Sequence, residues 1–250
     1  MRFGVCCNES EAHAVLKAGF DYVELGANTL NPNPSVYKDL PVEATNLFFA
    51  GSIKLFGPDA TPYLDVARAT VDRAAAIGVQ VMVIGSGGPR RAPEGSDLAW
   101  CEREFCLVAA AIGEHAEQYG ITIAPESLNR SETNVGNDLA CLACELKESG
   151  VAYTADSYHV LYEWNADGPS EPFPSKVHWE EQVPFLPAHV HIADLPRFAP
   201  RPDDPMVQGF AARLLELRYD GRVSLECRRG EDLERELKNA LRDLKILFGA

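Results

Sequence analysis

Four polar residues of metal-ligating types lie at the ends of short apolar runs in the second half of the chain. Glu126 closes the run ITIAPES, Asp156 closes AYTADSYH, His191 lies near the end of AHVHIAD, and Glu226 closes VSLECR. Three carboxylates brought together would repel one another strongly in a medium of low dielectric constant, and a divalent cation among them would turn that repulsion into binding. The residue types therefore indicate a metal site, provided that the fold assembles them.

The chemistry of these side chains restricts which ion would bind. An oxygen-rich set with one imidazole suits Mn²⁺ or Mg²⁺, is compatible with Co²⁺, and suits Zn²⁺ less well because no thiolate contributes. Taken singly, a Glu or Asp after a strand is more often a helix cap, and a His within a strand is more often a core residue. The prediction rests on all four occurring at the same end of consecutive strands.

Short apolar runs alternate with segments of helical periodicity along the whole chain, which is typical of repeated βα units around a parallel sheet. Runs that are apolar on both faces, as buried parallel strands are, predict eight strands. They are Phe3 to Cys6, Tyr22 to Leu25, Thr45 to Phe49, Val79 to Ile84, Ile121 to Ala124, Ala152 to Ala155, Ala188 to Ile192 and Val223 to Leu225.

Helical stripes of apolar residues lie between these runs, most clearly in the segments 64–75, 98–116 and 233–247, with Ser96 as a candidate N-cap and glycines at the expected helix stops. Loop-like stretches follow strands six and seven, at 168–175 and 196–205. Eight βα units in 250 residues predict a single-domain α/β protein, a (β/α)₈ TIM barrel spanning residues 1–250. Catalytic groups of such barrels lie at the carboxyl ends of the strands, where the four candidate ligands are.

Composition and charge indicate which partners and which location to expect for the protein. The formal net charge of −14 disfavours binding to nucleic acid and to anionic membrane surfaces. The amino-terminal residues MRFGVCCNESE do not form a signal peptide, and the apolar runs are too short to cross a bilayer. Seven cysteines, an odd number located mostly in apolar runs, favour a reduced, cytoplasmic protein.

Two local motifs carry a family resemblance. The segment ESLNRSET from Glu126 to Thr133, the spacing from Asp156 to His159 and the four strand ends resemble the xylose isomerase-like TIM barrel superfamily of sugar phosphate isomerases and epimerases. Within it the chain is most similar to the D-tagatose and D-psicose (allulose) 3-epimerases. The resemblance implies a metal site formed by Glu126, Asp156, His191 and Glu226.

The resemblance also implies an activity and a substrate site. Glu126 and Glu226 would be the proton-transfer pair, acting through a metal-stabilised cis-enediolate of a small ketose or ketose phosphate. The residues implied to hold the sugar are Glu132, His159 and Arg197. Members of the superfamily are commonly dimers or tetramers, so a homodimer or homotetramer is expected, with a small sugar as the substrate.

Other activities remain open on the same barrel. A dehydratase of the inosose or dehydroshikimate type would use the same enolate chemistry, and a non-catalytic sugar-binding barrel would keep the ligands without turnover. An endonuclease of the type that binds three zinc ions needs additional histidines, whereas the third and fourth strands end in FFAG and IGSG. Together with the negative charge, this argues against DNA as the substrate.

Several further residues have both a functional and a structural interpretation. The turn IGSGGPRR, with Arg90 and Arg91, could bind a phosphate, although a tight βα turn is the more economical interpretation. Glu24 ends the second strand and either lies near the pocket or caps the next segment. His189 shares a strand face with His191. A CxxC pair, Cys141 and Cys144, is predicted to pack in the core beside helical leucines.

Overall fold

The computed structural model describes residues 1–165 and 177–250, so the predicted loop at 168–175 lies outside the described residues. Within the described parts, eight strands alternate with helices along the chain. The strands are Arg2–Cys6 (β1), Tyr22–Gly26 (β2), Val42–Asn46 (β3), Val81–Met82 (β4), Thr122–Ile123 (β5), Thr154–Asp156 (β6), His189–Ile192 (β7) and Arg222–Leu225 (β8).

Helices follow the strands, each presenting a buried face to the sheet. The α-helices of the described residues are Ala12–Ala18 (α1), Leu64–Ala75 (α2), Leu98–Glu117 (α3), Leu139–Glu148 (α4), Ser157–Asn165 (α5), Trp179–Gln182 (α6), Pro205–Glu216 (α7) and Leu233–Phe248 (α8). Short 3₁₀ helices occupy Glu9–Glu11, Ala27–Thr29 and Pro34–Tyr37. The three helices predicted most clearly from their apolar stripes correspond to α2, α3 and α8.

The strands form one curved parallel sheet in the order β5-β4-β3-β2-β1-β8-β7-β6. Its two edges, β5 and β6, are joined just beyond β5 by a parallel bridge between Glu126 and Thr154, where the Thr154 N–H also donates to the Pro125 carbonyl at 2.9 Å. The predicted (β/α)₈ TIM barrel is therefore confirmed. As a consequence β5, β6, β7 and β8 follow one another around the barrel wall.

Successive side chains along each strand face opposite sides of the sheet, one the layer between strands and helices and the other the interior of the barrel. Along β7, Val190 and Ile192 face outward into the large apolar layer between strands and helices, and His189 and His191 face the barrel interior. Among the described residues, Tyr22, Ala44, Val81 and Ala124 form a small apolar cluster inside the barrel. Towards the carboxyl ends of the strands the interior becomes polar, and this is where the candidate site lies.

The third strand ends earlier than predicted. The sequence favoured Thr45 to Phe49, whereas β3 is Val42–Asn46. Leu47 has a φ of +46°, a left-handed conformation that interrupts an extended strand. Phe48 and Phe49 lie beyond this break, with their buried rings in edge-to-face contact at a centroid distance of 4.8 Å. Their apolar character reflects packing under a loop rather than strand structure.

Two smaller predictions about helices were wrong in detail. The N-cap of α3 is Asp97 rather than Ser96, since the Asp97 carboxylate accepts the Trp100 N–H at 3.1 Å. Cys141 and Cys144 are exposed on α4 and do not pack in the core, because the buried face of that helix consists of Leu139, Leu142, Ala143 and Leu146. A pair spaced three residues apart shares one helix face, here the solvent-facing one.

All seven cysteines are free thiols. None of the helices in the described ranges combines the length and apolar character needed to cross a membrane.

Close packing around a glycine of the first strand generates a stability prediction. A Cβ added at Gly4 of β1 would lie 2.3 Å from the Tyr22 ring, whereas one added at Gly113 in α3 would meet open space. Gly4→Ala should lower the free energy of unfolding by about 1–3 kcal/mol through overpacking. Gly113→Ala should raise it by about 0.5–1 kcal/mol because glycine is a poor helix former. Urea unfolding of both variants tests this, and a Gly4→Ala variant as stable as the wild type would contradict it.

Candidate metal and substrate site

The four candidate ligands come together at the carboxyl ends of consecutive strands. Glu126 follows β5 at the bridge to β6, Asp156 is the last residue of β6, His191 lies in β7, and Glu226 directly follows β8. One ligand atom from each lies within 4.8 Å of those of the other three. Parallel strands bring these side chains to one end of the barrel, as the positions of the residues along the chain predicted.

The imidazole of His191 lies at the centre of the cluster. Its Nδ1 is 2.9 Å from Glu126 Oε2, 3.5 Å from Glu226 Oε2 and 3.8 Å from Asp156 Oδ2. Glu126, Asp156 and His191 are buried, and Glu226 is half-buried. Three carboxylates thus surround one ring nitrogen in a largely buried setting.

Burial and mutual repulsion perturb the acids of the cluster. The pKa of Asp156 is raised well above its ordinary value, first by burial and then by the charges of Glu226 and Glu126. Burial likewise raises the pKa of Glu126. For Glu226 the opposing effect of burial is outweighed by His191 and Arg197, which lower the pKa to about 2. Of these acids, Asp156 is therefore the one whose negative charge is least compensated by neighbouring positive groups.

A buried carboxylate oxygen of Asp156 that lacks a hydrogen-bond partner among the described residues supports the fit of a cation. Asp156 Oδ1 accepts the N–H groups of Tyr158 and His159, at 2.6 and 3.3 Å, and so caps the start of α5. Its Oδ2 is buried and has no hydrogen-bond partner among the described residues. An unpaired buried carboxylate oxygen is costly, and a metal ion is one of the few groups that could satisfy it here. The donor set of three carboxylates and one imidazole fits a divalent cation.

Beside this cluster, Arg197 connects two carboxylates. Its Nη1 donates to Glu132 Oε1 at 3.1 Å and its Nη2 to Glu226 Oε2 at 2.9 Å, and its guanidinium stacks over the Tyr158 ring at 4.6 Å. The backbone of Arg197 has a φ of +80°, which is strained for a residue with a side chain. It is held there because its N–H donates to the Asp194 carbonyl at 2.7 Å and its carbonyl accepts the Arg228 N–H at 2.8 Å.

His159, which the resemblance implied to hold the sugar, lies in the first turn of α5. Its Nδ1 faces two donors of Asn129, the backbone N–H at 3.1 Å and the side-chain Nδ2 at 2.9 Å. The ring therefore carries its hydrogen on Nε2, which lies 3.8 Å from Asp156 Oδ2 and has no hydrogen-bond partner among the described residues. Burial lowers the pKa of His159 to about 3, so the ring is a neutral donor.

A cavity of about 640 Å³ opens at this end of the barrel. Its walls include Asn8, Glu132, Tyr158, Arg197 and Glu226. Glu226 thus links the cavity to the buried cluster, because its carboxylate belongs to both. The volume falls in the usual range for small-molecule sites, roughly 300–1,000 Å³.

The two arginines of the glycine-rich turn IGSGGPRR donate to backbone carbonyls of the segment that follows β5. Arg90 is completely buried and donates from Nη1 to the Glu126 carbonyl at 2.8 Å, and Arg91 donates from Nη2 to the Ser131 carbonyl at 3.1 Å. A Cβ at Gly85 would lie 1.8 Å from Glu126 Oε1. Glycine is needed at position 85 because the Glu126 carboxylate occupies the space that a side chain would fill.

Sequence reasoning missed two residues of the site and left a third undecided. Asn129 and Tyr158 were not singled out, although Asn129 lies within the quoted segment ESLNRSET and Tyr158 lies between Asp156 and His159. Glu24 does not cap the next segment: it is completely buried, with its two oxygens 2.8 Å from ring nitrogens of His189 and His191. Its position at the end of a strand was the available signal.

Comparison with known proteins places the chain in a family. A family model described as xylose isomerase-like TIM barrel matches residues 12–247. No curated protein sequence matches the chain significantly.

Several solved structures share the fold at low sequence identity. A D-psicose 3-epimerase, solved in the presence of D-fructose, is 17% identical with a TM-score of 0.78 over 100% of both chains. An L-ribulose 3-epimerase is 15% identical with a TM-score of 0.79, covering 99% of this chain and 94% of the other. A 3-keto-D-glucoside 4-epimerase from E. coli is 21% identical with a TM-score of 0.75, covering 98% and 99%. The resemblance inferred from the sequence is thereby confirmed, and the chain belongs to the xylose isomerase-like TIM barrel family.

Proposed function

We propose that the protein is a divalent-metal-dependent epimerase or isomerase of a small ketose or ketose phosphate. The observation that carries the proposal is the convergence of Glu126, Asp156, His191 and Glu226 beside a cavity of about 640 Å³. Two similar solved structures are 3-epimerases of the ketoses D-psicose and L-ribulose, and a third is a 4-epimerase of 3-keto-D-glucosides. These names support a carbohydrate that carries a ketone as the substrate.

The cation would be held by Glu126, Asp156, His191 and Glu226. Mn²⁺ or Mg²⁺ suits this oxygen-rich set best, Co²⁺ is compatible, and Zn²⁺ is less favoured. When bound, such an ion polarises a substrate carbonyl and makes the hydrogen on the neighbouring carbon easier to remove. Cys6 Sγ lies 3.8 Å from His191 Nε2, the ring nitrogen that faces Glu24 rather than the cluster of three carboxylates.

Proton transfer is assigned to Glu126 and Glu226. They extend from β5 and β8, with β6 and β7 between them in the barrel wall. Carboxylates from separated strands would approach a bound sugar from different sides, so that one removes a proton and the other returns it on the opposite face. This inverts the carbon centre, which is epimerisation, whereas return on the same face would accompany aldose–ketose isomerisation.

The sugar would be oriented by Glu132, His159 and Arg197. His159 offers its Nε2–H because Asn129 occupies the other ring nitrogen. Arg197 and Glu132 are bonded to each other and both line the cavity, so together they present donors and acceptors for hydroxyl groups. The stacking of Arg197 on Tyr158 fixes the plane of the guanidinium.

Removing either proton-transfer carboxylate should slow turnover strongly. Glu126→Gln and Glu226→Gln keep the shape but lose the base, so each should lower the rate of solvent deuterium incorporation next to the ketone by roughly 10²- to 10⁴-fold. The measurement incubates the Mn²⁺-loaded protein in heavy water with a panel of ketoses and ketose phosphates, read by NMR. Glu148→Gln, a change of the same type at an exposed site on α4, should exchange at the wild-type rate.

The same assay separates the alternatives. An epimerase returns deuterium to the sugar without loss of mass from the carbon skeleton, whereas a dehydratase yields a product lacking one molecule of water. A sugar-binding barrel without turnover would bind a ketose and exchange nothing. Either of these last two results would overturn the proposal.

Metal binding should depend on pH. The pKa of Asp156 is raised by burial and neighbouring carboxylates, and the pKa of His191 is raised well above its ordinary value because Glu24 and the other acids outweigh the effect of burial. Both groups hold a proton below their pKa and must lose it to bind a cation. Mn²⁺ affinity should therefore fall as the pH is lowered from about 8 to 5, with protons released on binding.

Calorimetry in buffers of different ionisation enthalpy measures this proton release. Asp156→Asn should weaken Mn²⁺ binding and reduce the number of protons released, since an amide has no proton to lose in this range. An affinity that is the same throughout the pH range would contradict the assignment of these residues as ligands.

A further inference from the structure

A chain of buried polar groups lies inside the barrel beneath the proposed metal site. Glu24 of β2 is completely buried, and its Oε1 lies 2.8 Å from His191 Nε2. Its Oε2 lies 2.8 Å from His189 Nε2 and also accepts the Ser224 hydroxyl. Tyr22 contacts this layer through its hydroxyl, 2.8 Å from Ser224 Oγ. The described residues around this carboxylate thus supply three partners from two strands, β7 and β8.

The two ring nitrogens of His191 face carboxylates on different sides of the ring. Nε2 faces Glu24, and Nδ1 faces the cluster, 2.9 Å from Glu126 Oε2. Because an ionised carboxylate only accepts hydrogen bonds, Nε2 must carry the hydrogen and donate it to Glu24. Nδ1 also lies beside a carboxylate, so the charged ring carries a hydrogen there as well. When the ring loses that hydrogen and keeps the one donated to Glu24, the lone pair of Nδ1 is available to an ion among Glu126, Asp156 and Glu226.

The location of Glu24 argues for a role beyond packing. A carboxylate buried in the interior of a barrel is unfavourable unless its oxygens are satisfied, and an apolar residue of similar volume would fill the space without that requirement. Here each oxygen is bonded to a different histidine of β7, and the two rings make an edge-to-face contact at 5.0 Å. This holds the His191 ring from the side opposite the cluster.

We propose that Glu24 is a positioning residue that holds His191 with Nε2 protonated and Nδ1 directed at the metal site, and thereby sets the affinity of that site for a divalent cation. His189 supports it by fixing the second oxygen of the same carboxylate. The inference rests on the proposed function in one respect, that His191 is a ligand. Carboxylates bonded to the free nitrogen of a metal-binding histidine typically contribute 10- to 100-fold to affinity.

The first test measures Mn²⁺ binding in Glu24→Gln. The amide keeps the shape, but its NH₂ group can donate to His191 Nε2 and so favour the tautomer with hydrogen on Nδ1, where it blocks the ligand position. The dissociation constant, measured from free Mn²⁺ by electron paramagnetic resonance, should rise about 10- to 100-fold. Tyr22→Phe is the matched control, because it removes a buried hydroxyl from the same layer and leaves both Glu24–histidine contacts; its dissociation constant should stay within about twofold of the wild type.

The second test needs no variant and therefore does not depend on Glu24→Gln folding. Long-range ¹⁵N–¹H spectra of the Mg²⁺-loaded wild-type protein distinguish the two imidazole tautomers, and His191 should carry its hydrogen on Nε2. A His191 hydrogen on Nδ1 would overturn the inference, as would a folded Glu24→Gln variant with wild-type Mn²⁺ affinity. If the wild-type protein binds no divalent cation at all, the proposed function itself fails, and this result is distinguishable from the other two.

Discussion

The repulsion among three carboxylates around one imidazole is the constraint on which the rest of the site depends. Glu126, Asp156 and Glu226 cannot all be ionised at this distance in a buried setting unless positive charge is supplied. The chain supplies part of it through Arg197, which bonds Glu226, and through His191. Asp156 Oδ2 is left without a hydrogen-bond partner among the described residues, and under the proposed function it is the oxygen that a cation would satisfy.

The barrel makes this unfavourable arrangement possible because it supports each acid separately. Glu126 is held through its carbonyl by the buried Arg90, and Gly85 leaves space for its carboxylate. Asp156 uses one oxygen to cap α5 and leaves the other free. In both residues one atom makes the supporting contact and another atom belongs to the cluster: the carbonyl and the carboxylate in Glu126, and the two carboxylate oxygens in Asp156.

The walls of the cavity are positioned by contacts between loops. Arg197 contacts both Glu132 and Glu226 while its backbone adopts a φ of +80°, held between Asp194 and Arg228. This conformation costs about 1–3 kcal/mol in a non-glycine residue. Local strain is common where a side chain must meet two partners from different loops, and here it brings one guanidinium against a carboxylate of the cluster and a carboxylate of the cavity wall.

The sequence by itself determined the architecture and the members of the cluster, because both follow from short-range patterns. Buried parallel strands appear as brief apolar runs, and a polar residue at the end of each run must lie at the same end of a barrel. Glu126, Asp156, His191 and Glu226 could therefore be named from the chain alone. The end of β3 could not, because the apolar Phe48 and Phe49 look the same in a strand as beneath a loop.

Only the tertiary structure decided how these residues are oriented and what supports them. Glu24 and His191 are separated by 167 residues, and nothing local indicates that they bond or which ring nitrogen faces the cluster. The same holds for Arg197 and Glu132, 65 residues apart. Such pairs depend on the closure of the sheet between β5 and β6 and on the order of strands around it, which arise from contacts distant in sequence and therefore have no signature in local periodicity or composition.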